Sequence, residues 1–371
     1  MIVEELKTNS ISTGILAPMT EMEHEQVLFC QDKSSGLKAI IAVHNTVLGP
    51  ALGGTRMWPY SSEEEALTDV LRLSRGMTYK NSISGLNLGG GKAVIIGDSR
   101  TQKTEAMFRR FGQFVNDLGG KYYTAEDVGT SLKDMEYIHM STNYITGLPE
   151  YMGGSGNPSP VTAYGVYMGM KAAAKKAYGS DSLANKKVGV QGCGNVGQTL
   201  ISYLVKEGAQ VFVTDIYQDK VEETVNKYKV TAVDSADFYN LEMDIYAPCA
   251  LGATVNDDTI SKLKCRIIAG AANNQLKVED IHATALQERG IYYAPDFVIN
   301  AGGVINIYTE YMGGYKKEVA MAMTENIYDT TLRIFDLAEK ESITTLLAAK
   351  RLAEKRIEDM AQLKRPHLTH S

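Results

Sequence analysis

One stretch, Lys186 to Asp215, constrains this chain more than any other: KKVGVQGCGNVGQTLISYLVKEGAQVFVTD. It opens on an apolar strand signal, Lys187 to Gln191. It turns through Gly192-Cys193-Gly194-Asn195-Val196-Gly197 and continues as a helix with Val196, Leu200 and Leu204 on one face. A second strand signal, Gln210 to Asp215, ends on an acid about 20 residues past the glycines. Alone, such a glycine pattern occurs in turns of unrelated α/β proteins. With strand, helix, second strand and acid all in place, it reads as a dinucleotide-binding βαβ unit. Gly192 permits the tight turn, Gly194 lets the backbone approach a pyrophosphate, and Gly197 lets the helix pack on the strand. Asn195 and Val196 open the helix, where free N–H groups and the dipole favour an anion. Asp215 would accept hydrogen bonds from the adenosine ribose. Its charge would repel a 2′-phosphate and no Arg lies beside it, so NAD is expected rather than NADP.

The surrounding pattern extends this unit. Further strand signals at Met243 to Ala247, Arg266 to Ala269 and Ile291 to Ala294 alternate with helical ones, which predicts a doubly wound parallel sheet. The first part of the chain reads differently. Gln26 to Gln31 and Leu37 to His44 read as strands of a hairpin turned at Gly36. Ser62 to Tyr79 has helical spacing, with Ser61 or Ser62 as cap and Glu63, Glu64 and Glu65 at the positive end of the dipole. A Gly-rich stretch, Gly85 to Gly91, precedes a short strand at Ala93 to Ile96. A helix at Thr104 to Leu118 ends at Gly119 and Gly120, and Lys121 to Ala125 reads as a strand. From Thr146 to Ser159 the composition, TGLPEYMGGSGNPS, signals a hinge, and Val161 to Tyr178 resumes as helix. Glu318 to Gln362 is helical and is expected to pack back across the first domain.

Composition excludes several classes. With 371 residues, 44% hydrophobic and 22% charged, the chain suits two domains or three. No apolar run is long enough to span a membrane, and the opening MIVEELKTNSISTG lacks the pattern of a secretory signal. The net charge of −6 and the absence of a dense basic block argue against nucleic acid. Short runs such as Lys171 to Lys176 read as solvated helix faces. Cys30, Cys193, Cys249 and Cys265 form no CxxC pair and read as buried reduced thiols. His367 and His370 sit on the tail. The expectation is a cytoplasmic protein that binds no metal and no membrane.

A second segment carries chemistry: GPALGGTRMWPYSSEEEALTDVLRLSRGMTYKNSISGLNLGGGKAVIIGD. Lys80 and Lys92 stand in it among glycines. A phosphate loop is ruled out, because Leu86 occupies the place of its first glycine and Ala93 follows Lys92. Two surface lysines is the plain reading of the segment by itself. Two lysines in a partly dry cleft would instead lower one another's proton affinity, and a neutral lysine can serve as a base.

These residues resemble the Glu/Leu/Phe/Val dehydrogenase family. The resemblance runs through GPALGGTRMW, GMTYKN, GLNLGGGK, TAEDVGT, SGNPSPVTAYGV, GCGNVG, DIYAPCALGATVN, AANNQL and APDFVINAGGVIN. It implies an N-terminal α/β substrate and oligomerisation domain, residues 1–147 with the C-terminal helices of about 345–371. It implies a Rossmann NAD-binding domain over 148–344. It implies reversible, NAD-dependent oxidative deamination of an L-amino acid to a 2-oxo acid and ammonia, in a homo-oligomer, commonly an octamer. Carried over by motif, Lys80 holds the substrate α-carboxylate, Lys92 is the catalytic base and Asp127 its acid/base partner. Thr162 binds the nicotinamide carboxamide, Asn273 lies near its ribose and Asn300 lies by the substrate. Gly53, Gly54 and Met77 fall on the substrate side. Gly91 departs from the pattern, since many members carry alanine there, and the change could loosen Lys92. Glutamate-specific members typically read PYKGGLR where this chain reads PALGGTR. With Leu52 in place of their lysine, a side-chain carboxylate would be buried without a cation, which is costly. Leu52, Ala125, Val304 and Ile307 map onto the side-chain pocket. All are apolar, which points to leucine, then valine and isoleucine, with phenylalanine or valine as the alternative best substrate. A catalytically inactive NAD-binding sensor and a structural subunit are the distant alternatives.

Overall fold

The structure, a computed structural model, describes residues 15–363. The opening segment weighed as a signal and the tail histidines His367 and His370 lie outside the described residues. Two six-stranded sheets organise the fold. The first contains β1 (Gln26–Asp32), β2 (Leu37–Asn45), β3 (Ala51–Leu52), β4 (Thr55–Trp58), β5 (Gly89–Ile96) and β6 (Tyr122–Tyr123). β1 and β2 form the expected antiparallel hairpin, and Gly36 turns it with φ +73°. β5 runs antiparallel to β2 and parallel to β3 and β4, and β6 pairs with β3.

Alternation along β2 buries both faces of this sheet. Ile40 and Ala42 meet Ala66, Leu67, Val70 and Leu71 of the helix Glu63–Ile83. Ala39, Ile41 and Val43 meet Phe108 and Phe111 of the helix Glu105–Asp117 on the other side. Ser62 begins the long helix, its hydroxyl accepting from the Glu65 N–H at 3.1 Å.

The Gly-rich stretch was expected to precede the strand Ala93 to Ile96, yet Gly89, Gly90 and Gly91 are the first three residues of β5. The reason is steric. A Cβ on Gly90 would stand 2.2 Å from the backbone nitrogen of Thr78, and one on Gly89 would stand 1.9 Å from the Asn45 carbonyl oxygen. Only glycine lets the helix Glu63–Ile83 settle this closely on β5. That approach brings Lys80, two residues past Thr78, into the cleft that Lys92 also faces. At Gly91 a Cβ would meet the Tyr122 ring at 2.7 Å. Here the room left by glycine is taken by tyrosine, and Lys92 itself stays buried and paired to Ala42 across β2.

The second sheet is wholly parallel. It holds β7 (Lys187–Gln191), β8 (Gln210–Thr214), β9 (Thr231–Ala232), β10 (Ile245–Pro248), β11 (Ile267–Ile268) and β12 (Tyr292–Tyr293). The order is β12-β11-β10-β7-β8-β9. Counted within this sheet it is 3-2-1-4-5-6 from the β9 edge, the doubly wound order whose switch point lies beside its first strand, β7.

The C-terminal segment, read as one helical region, is two helices, Lys317–Glu341 and Thr345–Ala361, broken at Ser342 with φ +55°. The second returns to the helix Glu63–Ile83. Tyr79 donates to Glu354 at 2.9 Å, and Arg356 donates to the carbonyls of Ser82, in the last turn of that helix, and of Gly85 and Leu86 just beyond it.

The hinge stretch contains one short 3₁₀ turn, Glu150–Met152. It is held by Glu310, whose carboxylate accepts from the N–H groups of Gly147 (2.9 Å), Leu148 (3.3 Å) and Ser155 (2.8 Å). Two smaller readings change or hold. Lys171 and Lys176 are not simply solvated: Lys171 pairs with Glu207 at 2.9 Å, and Lys176 with Asp336 at 2.8 Å and Glu339 at 2.9 Å. Cys30, Cys193 and Cys265 are buried free thiols, and Cys249 is partly buried. Among the described residues no helix is long and apolar enough to cross a membrane.

Candidate active site

A cavity of about 340 Å³ opens between the two sheets. Lys80 reaches it from the helix Glu63–Ile83, Lys92 from β5, and Asp127 from the loop after β6. Leu52, Gly54, Met77, Ala125, Asn300, Val304 and Ile307 also line it. So do Thr162, Val196 and Asn273 from the nucleotide half. Of the residues assigned to the substrate, Gly53 alone stands behind the wall. A Cβ there would lie 1.7 Å from the Gly91 carbonyl oxygen, and its own carbonyl accepts from Tyr122 Oη at 2.6 Å. Gly53 serves the packing of β3 against β5 rather than lining the cavity.

Lys92 Nζ lies 3.1 Å from Asp127 Oδ2, and the lysine is almost wholly buried. Arg56 Nε donates to the same oxygen at 3.0 Å. Burial disfavours the Asp127 carboxylate, but Lys92 and then Arg56 outweigh it and hold the carboxyl below its usual range. The lysine whose proton affinity falls is Lys80. Desolvation lowers it to about 8, Asp296 opposes this, and Lys92 adds to it. Water still reaches part of the Lys80 side chain through the cleft mouth, so screening blunts these charge effects.

Asn300 and Asn273, assigned separately to substrate and cofactor, touch. Asn300 Nδ2 donates to Asn273 Oδ1 at 2.7 Å, and Lys80 Nζ reaches the same oxygen at 3.5 Å. Asn300 Oδ1 is buried with no partner. An orphaned acceptor on a cavity wall suits a donor supplied by a ligand. Arg56 went unnoticed in the sequence, although it stands in the GGTR block. In β4 Thr55 and Met57 are buried and Arg56 points the other way, but four residues are too few for that alternation to register in the sequence.

The glycine turn fits a dinucleotide. Gly192 adopts φ +116°, and a Cβ on Gly197 would lie 2.0 Å from the Gly192 carbonyl oxygen. A Cβ on Gly194 would meet nothing within 4 Å. Packing does not demand glycine at 194, so the open cradle above the helix end is what its smallness provides. The helix Asn195–Glu207 has no side-chain cap, which leaves its first N–H groups for an anion. Asp215 accepts from Cys193 N–H at 2.7 Å and from Tyr217 N–H at 3.0 Å. A carboxylate has about four lone-pair sites, so acceptor capacity remains for a ribose.

Residues 24–144 match the family model described as Glu/Leu/Phe/Val dehydrogenase, dimerisation domain. Residues 153–216 and 212–365 match the model described as Glutamate/Leucine/Phenylalanine/Valine dehydrogenase. The chain belongs to the Glu/Leu/Phe/Val dehydrogenase family. The resemblance seen in the sequence is thereby upheld, and with it the two-domain α/β fold. Membership in this dehydrogenase family implies a nicotinamide cofactor. A protein named leucine dehydrogenase from Geobacillus stearothermophilus is 59% identical over 350 residues, covering 94% of this chain and 95% of the relative. One named phenylalanine dehydrogenase from Caldalkalibacillus thermarum is 49% identical over 346 residues, covering 92% of this chain and 93% of the relative. The crystal structure of L-tryptophan dehydrogenase from Nostoc punctiforme superposes with a TM-score of 0.83 at 46% identity, covering 93% of this chain and 99% of that one.

Proposed function

We propose that this family member catalyses the reversible, NAD-dependent oxidative deamination of L-leucine, and of valine and isoleucine, to the 2-oxo acid and ammonia. The observation that carries the reading is the meeting of Lys80, Lys92 and Asp127 with an apolar wall in one cavity beside the nucleotide turn. The 59% identity to a relative named leucine dehydrogenase supports it further.

Lys80 binds the α-carboxylate and aims Cα–H at the nicotinamide site. Such positioning accounts for several kcal/mol of a barrier. Bound nicotinamide supplies the hydride acceptor. The remaining steps fall to the chain. Lys92, in its neutral form, takes a proton from water as the water attacks the imine carbon. Asp127, ionised at the start, takes a proton from the substrate ammonium and returns it to the carbinolamine nitrogen; as the C–N bond breaks the hydroxyl proton passes to Asp127, and the 2-oxo acid and ammonia leave. Asn300 Oδ1 accepts from the substrate amine, and Thr162 and Asn273 hold the nicotinamide end. Leu52, Met77, Ala125, Val304 and Ile307 contact the side chain, with Gly54 admitting the substrate close to the backbone. Gly192, Gly194, Asn195, Val196 and Gly197 hold the pyrophosphate.

The same reading makes residues 1–147 with about 345–363 the substrate half and 148–344 the nucleotide half, in a cytoplasmic homo-oligomer, an octamer. Absorbance at 340 nm with NAD and single L-amino acids tests it. Fastest NADH formation with leucine supports the substrate assignment. Preference for phenylalanine or glutamate would overturn the pocket reading, and no turnover with any amino acid despite NAD binding would favour the inactive sensor.

Cofactor choice has its own test. Asp215→Ser is expected to lower kcat/KM for NAD by about 1.5–3 kcal/mol, or roughly 10- to 150-fold, while NADP changes little. Determining kcat/KM for both cofactors checks this, and an unchanged NAD/NADP ratio would remove Asp215 as the discriminating acid.

A further inference from the structure

Behind the cavity, Arg56 and Asp69 extend the Lys92–Asp127 pair into a chain of charged groups, and the proposed chemistry uses neither of them. Asp127 Oδ2 takes both Lys92 Nζ at 3.1 Å and Arg56 Nε at 3.0 Å. Arg56 Nη1 then reaches Asp69 Oδ2 at 2.9 Å. Asp69 is fixed in turn by Tyr60 Oη at 2.7 Å and Arg72 Nη2 at 2.9 Å. Both cations crowd one oxygen of Asp127, and Oδ1 takes no partner among the described residues. We propose that Arg56, anchored by Asp69, is a positioning residue for Asp127: it pins Oδ2, keeps Oδ1 for the cleft and sets the pH range in which the Lys92–Asp127 pair works. The inference rests on the reading of Asp127 as the acid/base partner of Lys92.

The geometry favours this over a plain structural bridge. Arginine offers donors in a rigid fork, so Nε and Nη1 fix two carboxylates at a set spacing. Arg56 stays charged at any working pH. Asp69 balances that charge on the outer side, so the cavity is not left with an uncompensated cation. The other ionisable groups facing Asp127 are Lys80 from the helix Glu63–Ile83, Glu126 beside it and the Tyr122 phenol from β6. None of them is among the partners of Oδ2.

The sign of the effect is fixed. Removing the Arg56 cation removes one of the two groups that hold the Asp127 carboxyl low, so its proton affinity rises. Removing the Asp69 anion lowers it.

The test is the pH profile of kcat/KM for leucine oxidation, using full-length Arg56→Met, Arg56→Lys, Asp69→Asn and Asp127→Asn. In Arg56→Met the acid limb should move up by about one pH unit, and kcat should fall more than KM rises. Arg56→Lys should restore the limb, because the charge returns, yet leave kcat several-fold low, because the fork does not. Asp69→Asn should move the limb down. An acid limb unmoved in both Arg56→Met and Asp69→Asn would overturn the proposal, even if both lose rate. If circular dichroism shows Arg56→Met unfolded, the downward shift in Asp69→Asn decides alone. Asp127→Asn separates the two levels. Wild-type turnover there would sink the role of Asp127 itself, whereas a slow Asp127→Asn beside unshifted Arg56 and Asp69 variants would sink only this inference.

Discussion

Lys92→Ala is expected to lower kcat for amino-acid oxidation by about 10³-fold or more, within the range general acid–base groups contribute. NAD binding should hardly change, because Lys92 sits on β5 of the first sheet and the glycine turn lies between β7 and its helix in the second. The variant also removes one of the two cations on Asp127. Burial then meets only Arg56 in opposition, so the carboxyl takes up a proton more readily. Stopped assays at 340 nm beside NADH fluorescence titration check both halves of the expectation. Turnover within tenfold of the parent would remove Lys92 as the base.

The second large effect belongs to Lys80. Lys80→Ala should weaken binding of the substrate carboxylate by roughly 2–3 kcal/mol, the lower part of the range for a buried charge pair, because water enters the cleft mouth. That is roughly 30- to 150-fold in KM. The parent protein should show a matching pH dependence. Lys80 is an ammonium below pH about 8 and loses its charge as pH rises through that value. Carboxylate binding needs the ammonium, so the Kd for the 2-oxo acid should rise above pH 8, by up to about tenfold per pH unit. The 2-oxo acid is the right probe, having no amine to titrate. Lys80→Ala should flatten this rise. A Kd constant from pH 7 to 9.5 in the parent would show that Lys80 does not hold the carboxylate.

What could be read from the sequence follows how local each feature is. The strand Lys187–Gln191 came out with the observed bounds, and the helix after it was expected from the glycine turn and the apolar spacing of Val196, Leu200 and Leu204. Strand, glycine turn and helix lie within one short segment whose spacing is its own constraint. The three glycines opening β5 were missed as a strand because glycine has little strand preference. What makes them strand is the close approach of Thr78 and the Asn45 carbonyl, contacts made from outside the segment. β3, β4 and β9 are two to four residues long, too short for alternation to register, whereas β6 falls inside the strand expected at Lys121 to Ala125. In the site, Lys80 and Lys92 were visible as lysines among glycines, but only the fold faces them into one cavity. Arg56 and Asp69 are 13 residues apart on a strand and a helix, a separation that no periodic rule joins. The Glu310 clasp joins residues more than 150 positions apart, and glutamate in a helix carries no mark of such a task.

The apolar wall described above is divided. Leu52, Met77 and Ala125 belong to the first sheet and its helix, Val304 and Ile307 to the helix Gly302–Tyr311. Neither half alone encloses a side chain. On the reading proposed above, the protein would gauge its substrate as a caliper does, by the gap between two jaws. One jaw is stiffened at its root, since the helix that bears Val304 and Ile307 also carries Glu310, which grips the hinge at three backbone nitrogens. On that same reading, a longer side chain would not simply bind less well; it would press the two walls apart and set its reacting carbon out of place against Lys92 and Asp127. Selectivity among amino acids would then be recorded in turnover as much as in affinity.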